Sequence, residues 1–577
     1  MTKYFASLLL FLVAWPSFAA DQNGYTAQYE CKSGGTNCNV DVVTYTTAAC
    51  AQTITTADTL SQINTKLNTG SSPICITNGD YSAKGTITLT TSGTFGARRV
   101  MRYIRASDND DEPWNQSGAN QAKMPKIEIS GASYWIFHRL TWDGVDAVVI
   151  NFLSSGGSVG TIFNRIYLTG ITENPKSVVG AIMVREGNNG TASAPHVIQN
   201  SVARNFIPAV DVEVDFVEVH ANFVWVVNNE VYNVSKGFFT QGGSSTLAQG
   251  SVVENNDIYA TPAFYTDCSG NLDVNGTCML GRTFISMKRG GTATNPVRII
   301  HNRLWGHRKT DHTVCCTATS WHMIGTSNDS VDDPNNAPYV LVQNNILMDG
   351  EIALHSSRDG PHHNSYVGNL VYNIRDLNTG DSQTSQVFTA RATQYEFYLN
   401  TIISSETWLK FVGAATDHDL RCNVLIADGT KSGTPGSGTQ VDYNVFYGTT
   451  LYTVGGVPSN IDKSLKLKST YSGCTSPGCT ATEDTTGLSI GDIVRTSSTP
   501  VTDCTSNDKH CYLYKVNTVG TSGQIQAVRG PYSFYRKLKT RTEQVFIPYA
   551  RPYSSAPEAT SCPGNYAART GIGIANE

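Results

Sequence analysis

The sequence predicts an all-β chain folded as a right-handed parallel β-helix, and three observations carry that reading. An Asn set among apolar strand residues recurs at Asn164, Asn200, Asn229, Asn256, Asn302, Asn345, Asn369, Asn400, Asn423 and Asn444. The shortest spacings between copies, about two dozen residues, define one coil of a solenoid, and the longer ones carry insertions. The flanking segments, such as Val-Trp-Val-Val before Asn229 and Glu-Val-Tyr after it, favour strands, and no 3.6-residue apolar stripe competes. Parallel strands stacked ~4.8 Å apart superpose equivalent residues of successive coils, so a position that turns the chain repeats. Asn suits such a corner because it tolerates left-handed backbone angles and its amide can bond to the coils above and below.

Taken in order, the chain opens on Met-Thr-Lys and an apolar run ending in the small residues Ser17 and Ala19, the pattern of a signal peptide over residues 1–19. A secreted or periplasmic protein is expected. No later apolar run approaches the ~20 residues of a membrane-spanning helix, so no membrane span is expected. Residues 20–54 form a polar, Thr-rich extension. From Thr59, Leu60, Ile63 and Leu67 fall on one face of an amphipathic helix, which would plug the first coil and cover its open strand edges. The β-helix is assigned to residues 55–450. The Gly/Ser loop over 429–440 precedes the last Asn copy, and residues 451–577 are assigned to a β-rich, disulfide-stapled appendage whose Arg536, Lys537, Lys539 and Arg541 form a basic strand face.

Charged residues make up 15% of the chain, below the ~25% of an average soluble domain, and 42 basic side chains stand against 47 acidic ones. That balance gives no global field for nucleic acid, so recognition of charge must be local; a monomer is expected. Fourteen Cys fit an oxidising compartment. Cys31/Cys38, Cys268/Cys278, Cys474/Cys479 and Cys504/Cys511 are local disulfide candidates, and Cys50/Cys75 would staple the N-terminal cap. Cys315-Cys316 near His307 and His312 could suggest zinc, but disulfides dominate exported chains.

The helix, the segment Ile76-Thr-Asn-Gly-Asp-Tyr81, and Ile127-Glu-Ile-Ser-Gly-Ala-Ser-Tyr-Trp135 ahead of the Asn repeat resemble secreted polysaccharide lyases of the parallel β-helix class, chondroitinase B-like and alginate lyases among them. The resemblance covers roughly residues 55 to 450. It implies a polysaccharide lyase, and the strand Ile285-Ser-Met-Lys288 looks like the one that carries that group's catalytic Lys. Calcium is possible on the same grounds. However, the group's calcium-binding carboxylates stand five and seven residues before the Lys, where this chain has Thr283 and Gly281. The group's catalytic Arg lies on the next coil, where Trp321-His-Met-Ile offers His322 instead. The run Asp211-Val-Glu-Val-Asp215 could hold calcium elsewhere or decorate a sheet edge.

The strand preceding each Asn strand can be aligned as apolar, any, apolar, polar: Ile182 to Arg185, Val217 to His220, Phe238 to Gln241, Ile285 to Lys288, Ile352 to His355 and Phe388 to Arg391. With the apolar positions inward, the fourth position forms an outward ladder, Arg185, His220, Gln241, Lys288, His355 and Arg391, and the second adds Glu218 and Ser286. Nearby loops add Arg358 and further His. An ordinary solvated strand face would also be polar, but His and Arg in such number point to a groove for an acidic polysaccharide.

A lyase acting on a uronic-acid polymer must neutralise the carboxylate, remove the C5 proton and protonate the leaving oxygen at C4. A Lys among cations sheds its proton more readily and can be the base; His and Arg suit the other tasks. Lys288 is therefore the expected base, His355 its proton-donating partner, and Arg358 or Arg391 the carboxylate clamp. Arg185, His220, Gln241, Arg289 and His322 are expected to bind substrate. A glycoside hydrolase would instead need two carboxylates about 5–9.5 Å apart, with Glu218 and Asp215 as candidates. A non-catalytic glycan-binding or adhesin solenoid is the third reading.

Overall fold

The structure is a computed structural model that describes residues 49–104, 121–144, 148–171, 179–206, 214–240, 248–260, 283–306, 322–326, 337–350, 352–356, 363–374, 386–390, 395–398, 400–403, 407–411, 416–421, 423–426, 430–432, 436–442, 445–447, 461–462, 480–483, 493–495, 513–527, 532–537 and 542–547. Three parallel sheets run the length of a solenoid, and each complete coil contributes one strand to each. The first sheet carries 14 strands from Gln52–Ile54 to Gln440–Asp442, and the second carries 12 from Ile87–Leu89 to Thr430–Ser432. The third carries 14 strands from Gly79–Asp80 to Ile461–Asp462. The chain is thus an all-β parallel β-helix. Beyond it lie a 4-stranded antiparallel sheet, between Thr480–Glu483 and Gly523–Ala527, and a hairpin of Tyr532–Lys537 with Thr542–Ile547.

Identical register from coil to coil explains the core. Ile127, Ile150, Ile182, Val217, Phe238, Ile285 and Ile324 pair in succession on the second sheet, and all are fully buried. One side chain per coil at each inward position builds a continuous apolar column, and each coil depends on its neighbours for burial.

The corner between the first and third sheets holds the Asn repeat. From Asn229 each side-chain amide donates to the carbonyl oxygen of the next, Asn256, Asn302, Asn345, Asn369, Asn400 and Asn423, at 2.9–3.0 Å. The same oxygen accepts the backbone N–H of the preceding Asn, and each Nδ2 also reaches a strand carbonyl, as from Asn256 to Val226 O at 2.9 Å. Every inner rung is buried.

Two of the expected members lie elsewhere. Asn200 stands one residue earlier in the frame, and Ser201 takes the inner place, its N–H donating to Asn229 Oδ1 at 2.9 Å. Asn164 ends its strand opposite Gln199. From Ser201 to Asn345 the left-handed backbone angle belongs to the residue before the rung: Asn200, Asn228, Asn255, His301 and Asn344 all have φ near +55°. These form a second, outer line in which Asn200 donates to Asn164, Asn228 to Asn200 and Asn255 to Asn228, at 2.8, 2.7 and 3.2 Å. Asn tolerates αL, so the turn uses one Asn and the inner line another. Asn444 lies outside the described residues.

The expected helix forms at Leu60–Thr69, with Thr59 and Gln62 closing a capping box and Ile63 and Leu67 buried. Its Asn64 and Asn68, one turn apart, meet the free edge of Ile87–Leu89. Asn64 Oδ1 accepts from Thr88 N–H at 3.1 Å, Asn68 Nδ2 donates to Thr88 O at 2.8 Å, and Asn68 Oδ1 accepts from Thr90 N–H at 2.8 Å. Two side-chain amides thus replace a missing strand at an edge that would otherwise pair with another chain. Cys50 and Cys75 are disulfide-bonded beside this cap; the other Cys pairs proposed above lie outside the described residues. Among the described residues no helix is long and apolar enough to cross a membrane.

Candidate functional site

The outer face of the second sheet gathers the polar residues. One row is Met183, Glu218, Phe239, Ser286, Gly325 and His355, paired in that order on consecutive rungs. A second row, two residues on, begins Arg185, His220 and continues through Lys288, whose N–H bonds to Thr240 O at 3.2 Å. Arg185, His220, Lys288 and His355 are half-buried.

Glu218 is the most firmly held group. It is 2% exposed, its Oε1 lies 2.6 Å from His220 Nε2, and its Oε2 accepts from Gly180 N–H at 3.0 Å. A Cβ at Gly180 would lie 2.5 Å from Glu218 N, so only glycine permits this approach.

One rung on, Phe239 carries two ammonium groups. Lys236 Nζ lies 4.0 Å and Lys288 Nζ 5.3 Å from its ring centroid, within cation–π range. Lys236 is itself buried and sits 3.9 Å from the buried carboxylate of Asp215. Asp215 is therefore an interior ion-pair partner, not edge decoration. Phe239 belongs to the strand next to that of Lys288, on the His220 side, so the Lys288 ammonium meets its ring across one rung.

Two rungs beyond Ser286 the ring of His322 stacks on His355, with centroids 3.7 Å apart at 24°. Gly325 makes the room: a Cβ there would lie 3.2 Å from His322 Cδ2. Beneath, Thr326 Oγ1 is 2.9 Å from Tyr366 OH, and burial pushes that phenol above its ordinary pKa.

Of the residues predicted from sequence, Lys288, Arg185, His220, His322 and His355 are on or beside this face. His355 is displaced from its expected place: Leu354, not Ile352, stacks on Ile324 and Ile285, so His355 shares the row of Ser286 and stands two residues short of the row of Lys288. A slip of two residues preserves the in-out alternation and is invisible to it. Arg289 is buried, its backbone N–H donating to Thr240 Oγ1 at 3.1 Å. Arg185 is tied to Asn151, its Nε donating to Oδ1 at 2.8 Å. Arg358, Arg391, Gln241, Asp211 and Glu213 lie outside the described residues. Lys236 and Phe239 were missed. For Phe239 the signal was present, since in Phe238-Phe239 only one ring can face inward.

At the position where the resemblance puts a calcium ligand, Thr283 is 4% exposed and offers no carboxylate. Among the described residues no group of three or more His, Cys, Asp or Glu could hold a metal ion. The residues at hand do not fit calcium there. The carboxylates weighed for hydrolysis are both engaged, Glu218 by His220 and Gly180, Asp215 by Lys236.

No family model matches the sequence, and no curated protein matches it. Solved structures do. A mannuronic acid specific polysaccharide family 6 lyase from human gut microbiota aligns at 13% identity and TM-score 0.45, over 71% of this chain and 91% of its own. An alginate lyase of the same family aligns at 10% and 0.41, over 74% and 85%. A pectate lyase aligns at 15% and 0.35, over 58% and 80%. At such identities and scores the likeness carries no argument about chemistry, and the reading below rests on the face just described.

Proposed function

We propose that this protein is a secreted polysaccharide lyase that cleaves an acidic, uronic-acid-containing glycan by β-elimination along the outer face of the second sheet. The observation that carries the reading is the arrangement around Phe239: two ammonium groups on one ring, flanked on successive rungs by Arg185, His220, His322 and His355. Side chains repeating every ~4.8 Å along a straight face suit an extended polymer, and their charge suits carboxylates. In this reading Lys288, in its uncharged form, takes the C5 proton, the remaining cations compensate the uronate, and Arg358 and Arg391 are further proposed clamps.

The test is a panel of uronic-acid glycans followed by ultraviolet absorbance. A lyase leaves a C4=C5 double bond that absorbs, whereas a hydrolase or an adhesin yields no such signal. Cleavage to saturated reducing ends would move the assignment to the hydrolase, and binding without cleavage to the adhesin.

A further inference from the structure

Elimination needs a second proton transfer, to the oxygen that leaves C4. The sequence pointed to His355 for this. Counted strand to strand, His355 and His220 each stand two rungs from Lys288, but the Lys288 ammonium meets the ring of Phe239, on the His220 side, and His355 lies in the other row of the face. On the other side of Phe239, a single rung away, stands His220.

We infer that His220, held by Glu218, is the proton donor to the leaving oxygen; the inference rests on the lyase reading above. Glu218 accepts from His220 Nε2 at 2.6 Å and from Gly180 N–H at 3.0 Å, so both carboxylate oxygens are used and the ring is fixed by its Nε2 edge. Nδ1 remains as the nitrogen that can meet a ligand. When His220 is protonated on both nitrogens the pair is a salt bridge and Nδ1–H is the donor. Carboxylate-oriented imidazoles act in this manner because the partner fixes tautomer and ring plane together.

The C5–H bond breaks and its proton goes to Lys288 Nζ, while the electron pair forms the C4=C5 bond. The C4–O bond breaks, and the departing oxygen takes the proton from His220 Nδ1. His220 is left neutral and Lys288 charged; exchange with solvent restores both. Glu218 touches no reacting atom and is a positioning residue. Glu218→Gln has a single oxygen and cannot accept from both His220 and Gly180, so one bond is lost or the imidazole tautomer reverses.

A donor to a leaving group matters only when that group leaves poorly. Initial rates are therefore compared for wild type, His220→Ala, His220→Gln, Glu218→Gln and Lys288→Ala on a natural polyuronate and on a synthetic uronide bearing 4-nitrophenoxide at C4. His220→Ala and His220→Gln should lose ~10²- to 10⁴-fold on the polyuronate and less than about 5-fold on the nitrophenoxide. Glu218→Gln should follow them with kcat lowered and KM unchanged, while Lys288→Ala should lose on both substrates. Equal losses by the His220 variants on the two substrates, or no loss on either, overturn the donor assignment and leave the lyase reading standing. Absence of unsaturated product from wild type on any glycan overturns both. His220→Gln keeps an N–H toward Glu218 and guards against misfolding of the alanine variant.

Discussion

The His322 ring lies on the His355 ring, 3.7 Å between centroids, although the two residues belong to different coils. Gly325, the sheet partner of His355, leaves room for the His322 ring: a Cβ there would lie 3.2 Å from His322 Cδ2. Stacked ring pairs contribute ~0.5–1.5 kcal/mol beyond area burial. A double-mutant cycle with His322→Ala and His355→Ala should show a coupling of about that size in urea unfolding, reduced when Gly325→Val displaces the His322 ring. Coupling below ~0.3 kcal/mol would mean that the rings are only neighbours.

Lys288→Ala separates chemistry from stability. The side chain is half-buried on the outer face, so truncation opens no core cavity and should change unfolding free energy by less than about 1 kcal/mol, the cation–π contact with Phe239 included. Turnover on an acidic glycan should fall ~10²- to 10⁴-fold. Near wild-type turnover with unchanged melting would make Lys288 a surface lysine.

Asn302→Ala should be costly although it removes a single small amide. Its Oδ1 accepts from Asn256 N–H and Nδ2, and its Nδ2 donates to Val253 O and Asn345 Oδ1. All of these groups are buried, and each left unpaired costs ~1–3 kcal/mol unless water enters. We expect a loss of at least about 3 kcal/mol in chemical denaturation, and less for Ser201→Ala at the end of the line.

Acid should weaken the fold before carboxylates titrate. His196 Nδ1 accepts from Thr161 N–H and its Nε2 lies 3.0 Å from Ser158 O, an arrangement for the neutral ring. Burial lowers the pKa of His196 and of His418 to about 4. Above the ordinary value of ~6.5 neither the folded nor the unfolded chain carries these protons. As pH falls below that value the unfolded chain takes them up and the folded chain does not, so stability is lost between pH ~6.5 and about 4, by up to ~3 kcal/mol per histidine. His196→Gln should flatten the dependence of urea midpoints on pH across this window; an unchanged slope would remove His196 as a cause.

The fold was legible because a solenoid repeats its constraints: the Asn frame, the apolar columns and the capping helix each show in the linear sequence. What misled was degeneracy. In Asn228-Asn229 and Asn255-Asn256 either residue satisfies the pattern, so Asn200 passed for an inner rung when it holds the left-handed corner. The site was legible as a face and less so as rows. In Ile352-Ala-Leu-His355 two apolar residues of one phase compete for one column, and alternation cannot choose between them. Lys236 and Asp215 left no sequence signal, because their pairing depends on which coils lie side by side.

The two lines of corner amides have opposite polarity. Along the inner line the amide-to-amide bonds run toward the C-terminal coils, from Asn229 to Asn423, whereas in the outer line Asn255, Asn228 and Asn200 donate back toward the N-terminal end. Aligned amides polarise one another and sum their dipoles, as in a helix. Here two such lines run side by side with opposite sign over the coils they share, and there their axial dipoles oppose each other. Past Asn255 the next outer contact is between Asn344 and His301, and the inner line runs on through Asn302 to Asn423. The amide-to-amide line without an amide partner beside it therefore belongs to the C-terminal half of the solenoid, from Asn302 to Asn423.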